Sequence, residues 1–260
     1  MGELKSMEVD FGRTAVDYAR HRAGFPVAFF ERLSGFGIGR EGQRVLDLGT
    51  GAGTLARGFA RRGARVTALD LSSELVEEAK RLDAEAGVTI DYVLAPAEDT
   101  GLTGGAFDVV SAGQCWHWFD RAKAAREARR LLVAGGRLVI AHFDWLPLEG
   151  SVVRATERLI ETYNPEWAWG GGVGIHPQWL GDAAGAGFED IETFSFDVRI
   201  AYSHEAWRGR IRASAGVGAS LPDERVESFD RELAALLAAR FAEQPLMAPH
   251  RVFAVISRAP

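Results

Sequence analysis

Between Val45 and Phe59 the chain reads VLDLGTGAGTLARGF: an apolar run with one acid, Asp47, then glycines at 49, 51 and 53, then a helix-like segment. Glycines at that spacing let the backbone turn tightly and remove the side chains that would hold a ligand away. The helix that follows offers unpaired N–H groups and the positive end of its dipole. Together they make a cradle for a nucleotide-type ligand. Asp70 ends the next strand-like run, RVTALD, where a carboxylate can accept both hydroxyls of a ribose. Asp47 separates the candidate nucleotides: two residues before the glycines, it would oppose a pyrophosphate but attract a ligand carrying an ammonium and a sulfonium. Thr54 also stands where a dinucleotide fingerprint has its third glycine.

Histidines supply the second group. His117 follows a strand-like run in AFDVVSAGQCWHWFD, His142 ends the next one, and His176 follows the glycines of GGGVGIHPQW. In open α/β sheets, ligands collect outside the carboxyl ends of the strands, and an imidazole there suits proton removal near neutral pH. His117 reads either as a general base beside a bound acceptor, or as part of a packing and helix-start motif capped by Asp120. His142 either faces an acceptor or bonds a neighbouring carbonyl, and His176 either joins that rim or caps the turn before Pro177. Six histidines with no acidic cluster at ligand spacing, and a single cysteine, Cys115, give no metal signature and no disulfide framework. Trp116 sits beside His117, while Trp167 and Trp169 fall in a Gly/Pro-rich stretch that fits a hydrophobic wall over a small organic acceptor. Arg208, Arg210 and Arg212 alternate so that they cannot all leave one helix face. Arg212, near Ser214, suits an acceptor carboxylate or a surface pair with Glu205 or Asp223.

These residues need a scaffold, and the pattern provides one. Strand-like runs at 45–48, 65–70, 88–94, 107–112 and 137–143 alternate with helix-like runs at 55–62, 72–86 and 120–132, the last ended by Gly135-Gly136. Such alternation means a parallel sheet with helices on both faces. Beyond 143 the rhythm changes. Residues 147–175 are rich in Trp, Gly and Pro, helices are expected at about 204–215 and 222–242, and strands at 189–198 and 251–257. The 260 residues suffice for one large α/β domain. A net charge of −6 argues against a nucleic-acid binder relying on a general basic field. Met1 to Met7 lacks an apolar run, so the expected location is the cytoplasm.

The runs VLDLGTGAGTLA, VTALDLS, APAEDTGL, AFDVVSAGQCWHWFD and EARRLLVAGGRLVI resemble, in order and spacing, the successive motifs of class I S-adenosylmethionine-dependent methyltransferases over roughly residues 10–145. The later chain more loosely resembles the small-molecule, trans-aconitate-methyltransferase-like branch. The resemblance implies a Rossmann-like α/β fold: a seven-stranded, mostly parallel sheet with an antiparallel last strand and extra helices among the late strands. It implies one domain, with N-terminal lid helices in 1–40, a cofactor core in 41–145, and acceptor-binding insertions and closing strands in 146–250.

By the same resemblance Gly49, Thr50 and Gly51 line the methionine and ribose, Asp70 holds the ribose, and Leu71 lies beside the adenine. Ala97 and Glu98 meet the adenine edge, and Gly113 and Gln114 lie under the methionine moiety. Pro96 replaces the Asp that often receives the adenine amine, so that contact falls to Glu98, Asp99 or water. Tyr18 and Arg22, in DYARHRAGFP, are placed to close over the cofactor, or belong to a packed N-terminal helix. The function implied is S-adenosylmethionine-dependent methyl transfer to a small molecule, foremost O-methylation of a hydroxyl or carboxylate, by a monomer or homodimer. N- or C-methylation, an NAD-dependent oxidoreductase and a non-catalytic cofactor-binding protein are the rivals. GQCW stands where amide- and base-methylating relatives carry an NPPY-like tetrapeptide.

Overall fold

The computed structural model describes residues 23–260. In chain order it forms α1 (Val27–Gly35), β1 (Arg44–Leu48), α2 (Thr54–Ala60), β2 (Arg65–Asp70), α3 (Ser73–Ala86), β3 (Asp91–Leu94), β4 (Phe107–Gly113), a 3₁₀ turn (Trp116–Trp118), α4 (Arg121–Leu131) and β5 (Leu132–Trp145). Then follow α5 (Val152–Tyr163), α6 (Gln178–Gly185), β6 (Glu189–Tyr202), α7 (His204–Arg212), α8 (Asp223–Arg240) and β7 (Leu246–Arg258). Among the described residues no helix is long and apolar enough to cross a membrane.

The seven strands form one sheet in the order β3-β2-β1-β4-β5-β7-β6. β1 pairs in parallel with β2 and β4, β2 with β3, and β4 with β5. β7 runs the other way. Ala259, just past its end, exchanges bonds with the beginning of β5: Gly135 N–H donates to the Ala259 carbonyl at 3.0 Å and Ala259 N–H to the Gly136 carbonyl at 2.8 Å. Arg258, at the end of β7, pairs with Glu189 and Asp190 at the start of β6. The fold expected from the sequence is therefore the fold observed.

Several boundaries differ for physical reasons. Gly135-Gly136 does not end α4, which stops at Leu131; both glycines lie inside β5, bonded to the β7 end. The stretch 147–175 contains α5, whose Ser151 hydroxyl caps the amide of Arg154 and whose Val153 and Ile160 are fully buried. Composition hid that helix, because both tryptophans and four of the five glycines in the stretch lie after it.

Two compact units emerge from the described chain. One comprises Gly24–Asp144, Gly174–Phe196 and Arg251–Pro260; the other includes Trp145–Val173 and Asp197–His250. The first is built on Leu46, Leu48, Val110, Trp116, Leu138, Ile140, Trp179, Phe253 and Val255, all buried in one cluster. Each such side chain removed from water contributes about 1.5–3 kcal/mol. The second unit is built on Val153, Ile160, Trp207, Ile211, Phe229, Leu233 and Leu237.

Candidate active site

The glycine cradle opens at the carboxyl end of β1, and the chain braces it from below. Gly49, Gly51 and Gly53 all take positive φ, at 57°, 55° and 75°, a region that costs other residues steric strain. Asp47 is buried in β1, where its Oδ2 accepts from the Thr50 hydroxyl at 2.7 Å and its Oδ1 from the Ser111 hydroxyl at 2.7 Å. Burial pushes its carboxyl up to about 6, against the opposing pull of those two hydroxyls and the Ala56 amide. Thr50 is thus buried and committed to Asp47, and its amide bonds the Leu69 carbonyl at 2.8 Å.

Asp70 ends β2 and holds the cradle's rim. Its Oδ2 accepts from the Gly51 amide at 2.7 Å and its Oδ1 from the Ser72 amide at 3.0 Å. Each oxygen keeps a second lone pair, so the carboxylate can both fix the loop and receive ribose hydroxyls. Leu71, next in the chain, is 75% exposed, a bare apolar side chain where the resemblance puts an adenine. The cradle therefore suits S-adenosylmethionine. Ala97 is buried in the core cluster, and Glu98 Oε1 accepts from the Asp120 amide at 2.8 Å, which joins the expected adenine edge to the start of α4.

At the exit of β4, Gly113 packs so closely that a Cβ there would lie 2.7 Å from Leu55 Cδ2. Gln114 takes a φ of 65°, unusual for a residue with a side chain, and its amide bonds the Ala141 carbonyl at 2.8 Å. Tyr18 and Arg22, the expected lid residues, lie outside the described residues.

Sequence reasoning missed what anchors the cradle. Arg57, on the buried side of α2, donates to Asp83 Oδ1 at 2.8 Å, to the Ala52 carbonyl in the glycine loop at 2.9 Å, and to the Ala79 carbonyl at 3.1 Å. The Tyr92 hydroxyl donates to Asp83 Oδ2 at 2.7 Å, and burial together with Asp83 holds that phenol well above its ordinary range. No periodicity marked it, because Arg57 stands two positions from both Leu55 and Phe59 and so lies off the stripe that those two share.

The histidines meet in the same unit. β1, β4 and β5 are parallel neighbours, so their carboxyl ends share one edge of the sheet. His117, in the 3₁₀ turn after β4, is exposed, and its ring lies 5.2 Å from that of His142 on β5. The His142 ring lies 4.7 Å from that of His176. Between these last two sits Asp144, with Oδ1 2.7 Å from His142 Nε2 and Oδ2 3.2 Å from His176 Nε2. Burial would raise the Asp144 carboxyl, but the two imidazoles outweigh it and hold it well below the usual carboxylate range. An acid thus stands among the histidines after all, and residue spacing could not show it, because His176 lies 32 positions from Asp144.

Other expectations need correction. Trp116 is no acceptor contact: it is fully buried in the core and donates its indole N–H to Asp182 at 3.0 Å. Asp120 does cap α4, accepting from the Lys123 amide, so the run after β4 is a helix start as well as the site of His117. Arg212 makes the surface pair with Glu205 that the sequence also allowed, and its guanidinium pairs with Asp230 as well, both at 3.0 Å. Asp230 also takes Arg208. In that second unit Trp167 packs against the apolar cluster, while Trp169 is 47% exposed.

Comparison with known proteins follows the same line. Residues 46–140 match the model of a methyltransferase domain. A ubiquinone biosynthesis O-methyltransferase of Xanthomonas axonopodis pv. citri is 32% identical over 180 residues, which are 67% of this chain and 72% of that one. An uncharacterized methyltransferase of Mycobacterium tuberculosis is 34% identical over 134 residues, 52% of each chain. Among solved structures, phosphoethanolamine N-methyltransferase 2 of Haemonchus contortus in complex with S-adenosyl-L-methionine superposes with a TM-score of 0.56 at 21% identity, over 98% of this chain and 58% of that one. A structure from Anaeromyxobacter dehalogenans reaches a TM-score of 0.63 at 24% identity, over 92% and 97%.

Proposed function

We propose, from the premise that this chain belongs to the class I S-adenosylmethionine-dependent methyltransferases, that it transfers a methyl group to an oxygen of a small organic acceptor, with His117 receiving the acceptor's proton. One observation carries the reading: an exposed imidazole stands on the same sheet edge as the glycine cradle. The sulfonium of S-adenosylmethionine supplies an already activated methyl, so the protein's task is to align a nucleophile and take its proton. The name of the Xanthomonas relative favours oxygen over nitrogen or carbon as acceptor atom. The net charge of −6 favours a small molecule over a nucleic acid. Within the cradle, Gly49, Gly51, Gly113 and Gln114 take the methionine end, Asp70 the ribose, and Leu71, Ala97 and Glu98 the adenine. Asp47 sets the field that the ammonium enters.

The test is a pH–rate profile of wild type and His117→Ala with a confirmed acceptor. For a hydroxyl acceptor the variant loses about 10²–10⁴ in kcat and the wild-type acid limb disappears, while cofactor affinity stays unchanged. A variant that keeps full kcat and the same acid limb removes His117 from the chemistry. For a carboxylate acceptor, ionised at neutral pH, KM rises more than kcat falls.

A further inference from the structure

We propose that His142, Asp144 and His176 form a binding site for a divalent transition cation of the zinc or iron(II) type. Two imidazoles and one carboxylate are a ligand set for such cations, whereas magnesium and calcium prefer oxygen donors throughout. The three side chains offer ligand atoms that all lie within 4.8 Å of one another. A cation bonded at about 2.1 Å to each donor needs neighbouring donors about 3 Å apart at right angles and about 3.4 Å apart in a tetrahedral site. The two measured separations, 2.7 Å from His142 Nε2 to Asp144 Oδ1 and 3.2 Å from His176 Nε2 to Asp144 Oδ2, come close to those values, each at its own carboxylate oxygen.

The fold aims these residues rather than merely gathering them. His142 and Asp144 are two apart on β5 and project from the same face of the strand. His176 arrives two residues before α6, its ring stacked on Trp179 at 4.2 Å and 8°, and the His142 ring stands edge-on to the same indole at 5.7 Å. Trp179 is fully buried and lies against Phe253, so both imidazoles rest on a fixed wall.

Neither a hydrogen-bonded cluster nor a loaded site satisfies every ring nitrogen. If both imidazoles donate from Nε2 to Asp144, His142 Nδ1 must accept, yet that atom is buried with no partner among the described residues. With a cation in place Nδ1 carries the proton and still lacks an outer partner, a loss worth 10–100-fold in affinity at histidine sites. The site therefore binds a cation exchangeably and yields it to a chelator. Three protein ligands leave coordination positions open, and His117 stands beside His142. That an acceptor oxygen takes one of these positions rests on the methyl-transfer reading above; the cation site itself does not.

The experiment is titration of chelator-stripped protein with Co²⁺, followed by its visible d–d absorption, and with Zn²⁺, followed by calorimetry. One equivalent of each is expected, undisturbed by excess Mg²⁺. His142→Ala, Asp144→Ala and His176→Ala should each weaken uptake tenfold or more. His204→Ala, at a histidine bonded elsewhere to the Phe241 carbonyl, should leave it unchanged. S-Adenosylhomocysteine affinity and circular dichroism report folding; should His142→Ala fail to fold, His176→Ala on its partly exposed loop decides. Absence of stoichiometric uptake by wild type, or undiminished uptake by folded His176→Ala, overturns the proposal. A chain that binds Co²⁺ but transfers no methyl group leaves the site standing and removes the function proposed above.

Discussion

Asp70 grips two backbone amides and, in the proposed reading, also receives the ribose, so its loss acts twice. Asp70→Ala should weaken S-adenosylhomocysteine binding by roughly 1–3 kcal/mol, the range for a hydrogen bond to a charged group. It should also lower the melting temperature of the ligand-free chain, because the Gly51 amide loses its acceptor. Calorimetric titration and thermal unfolding separate the two effects, and unchanged affinity in a folded variant removes Asp70 from the cofactor site. Asp47 gives effects of opposite sign. Its carboxyl is raised from an ordinary value of 3.8 to about 6 in the folded chain. Between those values the folded state keeps a proton that the unfolded state has released, so stability present below pH 4 is lost as pH rises through 6. The shift corresponds to about 3 kcal/mol. Asp47→Asn should abolish this slope and melt higher than wild type at pH 7.5 while binding S-adenosylhomocysteine less tightly; equal pH slopes in the two proteins would refute the assignment. Both acids were legible because each sits at a fixed offset from the glycines. The acid of the histidine cluster was not, since Asp144 meets His176 only through tertiary packing.

Helices α1 and α2 pack through a gap that a single glycine creates. A Cβ on Gly58 would lie 2.0 Å from Phe30 Cζ. Phe30 has no room to yield, being 5% exposed, edge-on to Phe59 at 5.5 Å and capped by the Arg62 guanidinium at 4.2 Å. Ala is ordinarily better than Gly inside a helix by roughly 0.5–1 kcal/mol. Here overpacking should reverse the sign, and Gly58→Ala should destabilise by about 1–3 kcal/mol in denaturant unfolding; a stabilised variant would mean that the helices part freely. The elements of the cofactor unit were readable because short apolar strands alternate with helices at regular intervals. α5 carries an equally clear pattern, Ser151 as cap with Val153 and Ile160 inward, but its rich neighbourhood of Trp and Gly masked it. The Gly135-Gly136 pair misled for another reason: glycine marks a helix stop and a strand's close approach alike, and only the β7 partner distinguishes them.

The cofactor unit is assembled from three separated stretches of chain, and β6 and β7 each contribute residues to both units. The part that the methyltransferase model matches ends at residue 140, inside β5. The segment that the family model matches is thus shorter than what must fold together. In the sheet, β5 lies between β4 and β7. A fragment of residues 24–145 would keep every glycine and acid of the cradle yet leave β5 as an open edge, with its buried run Leu138–Phe143 and its hydrogen-bonding groups unpaired. Long apolar edges of that kind recruit other strands. Such a fragment should therefore precipitate or form β-rich aggregates on expression, detectable by light scattering and thioflavin fluorescence, and a soluble monomer that binds S-adenosylhomocysteine would contradict this. The late strand that reverses direction works as a seal against self-association, and the family's most recognisable segment depends for its solubility on a stretch of chain more than a hundred residues downstream.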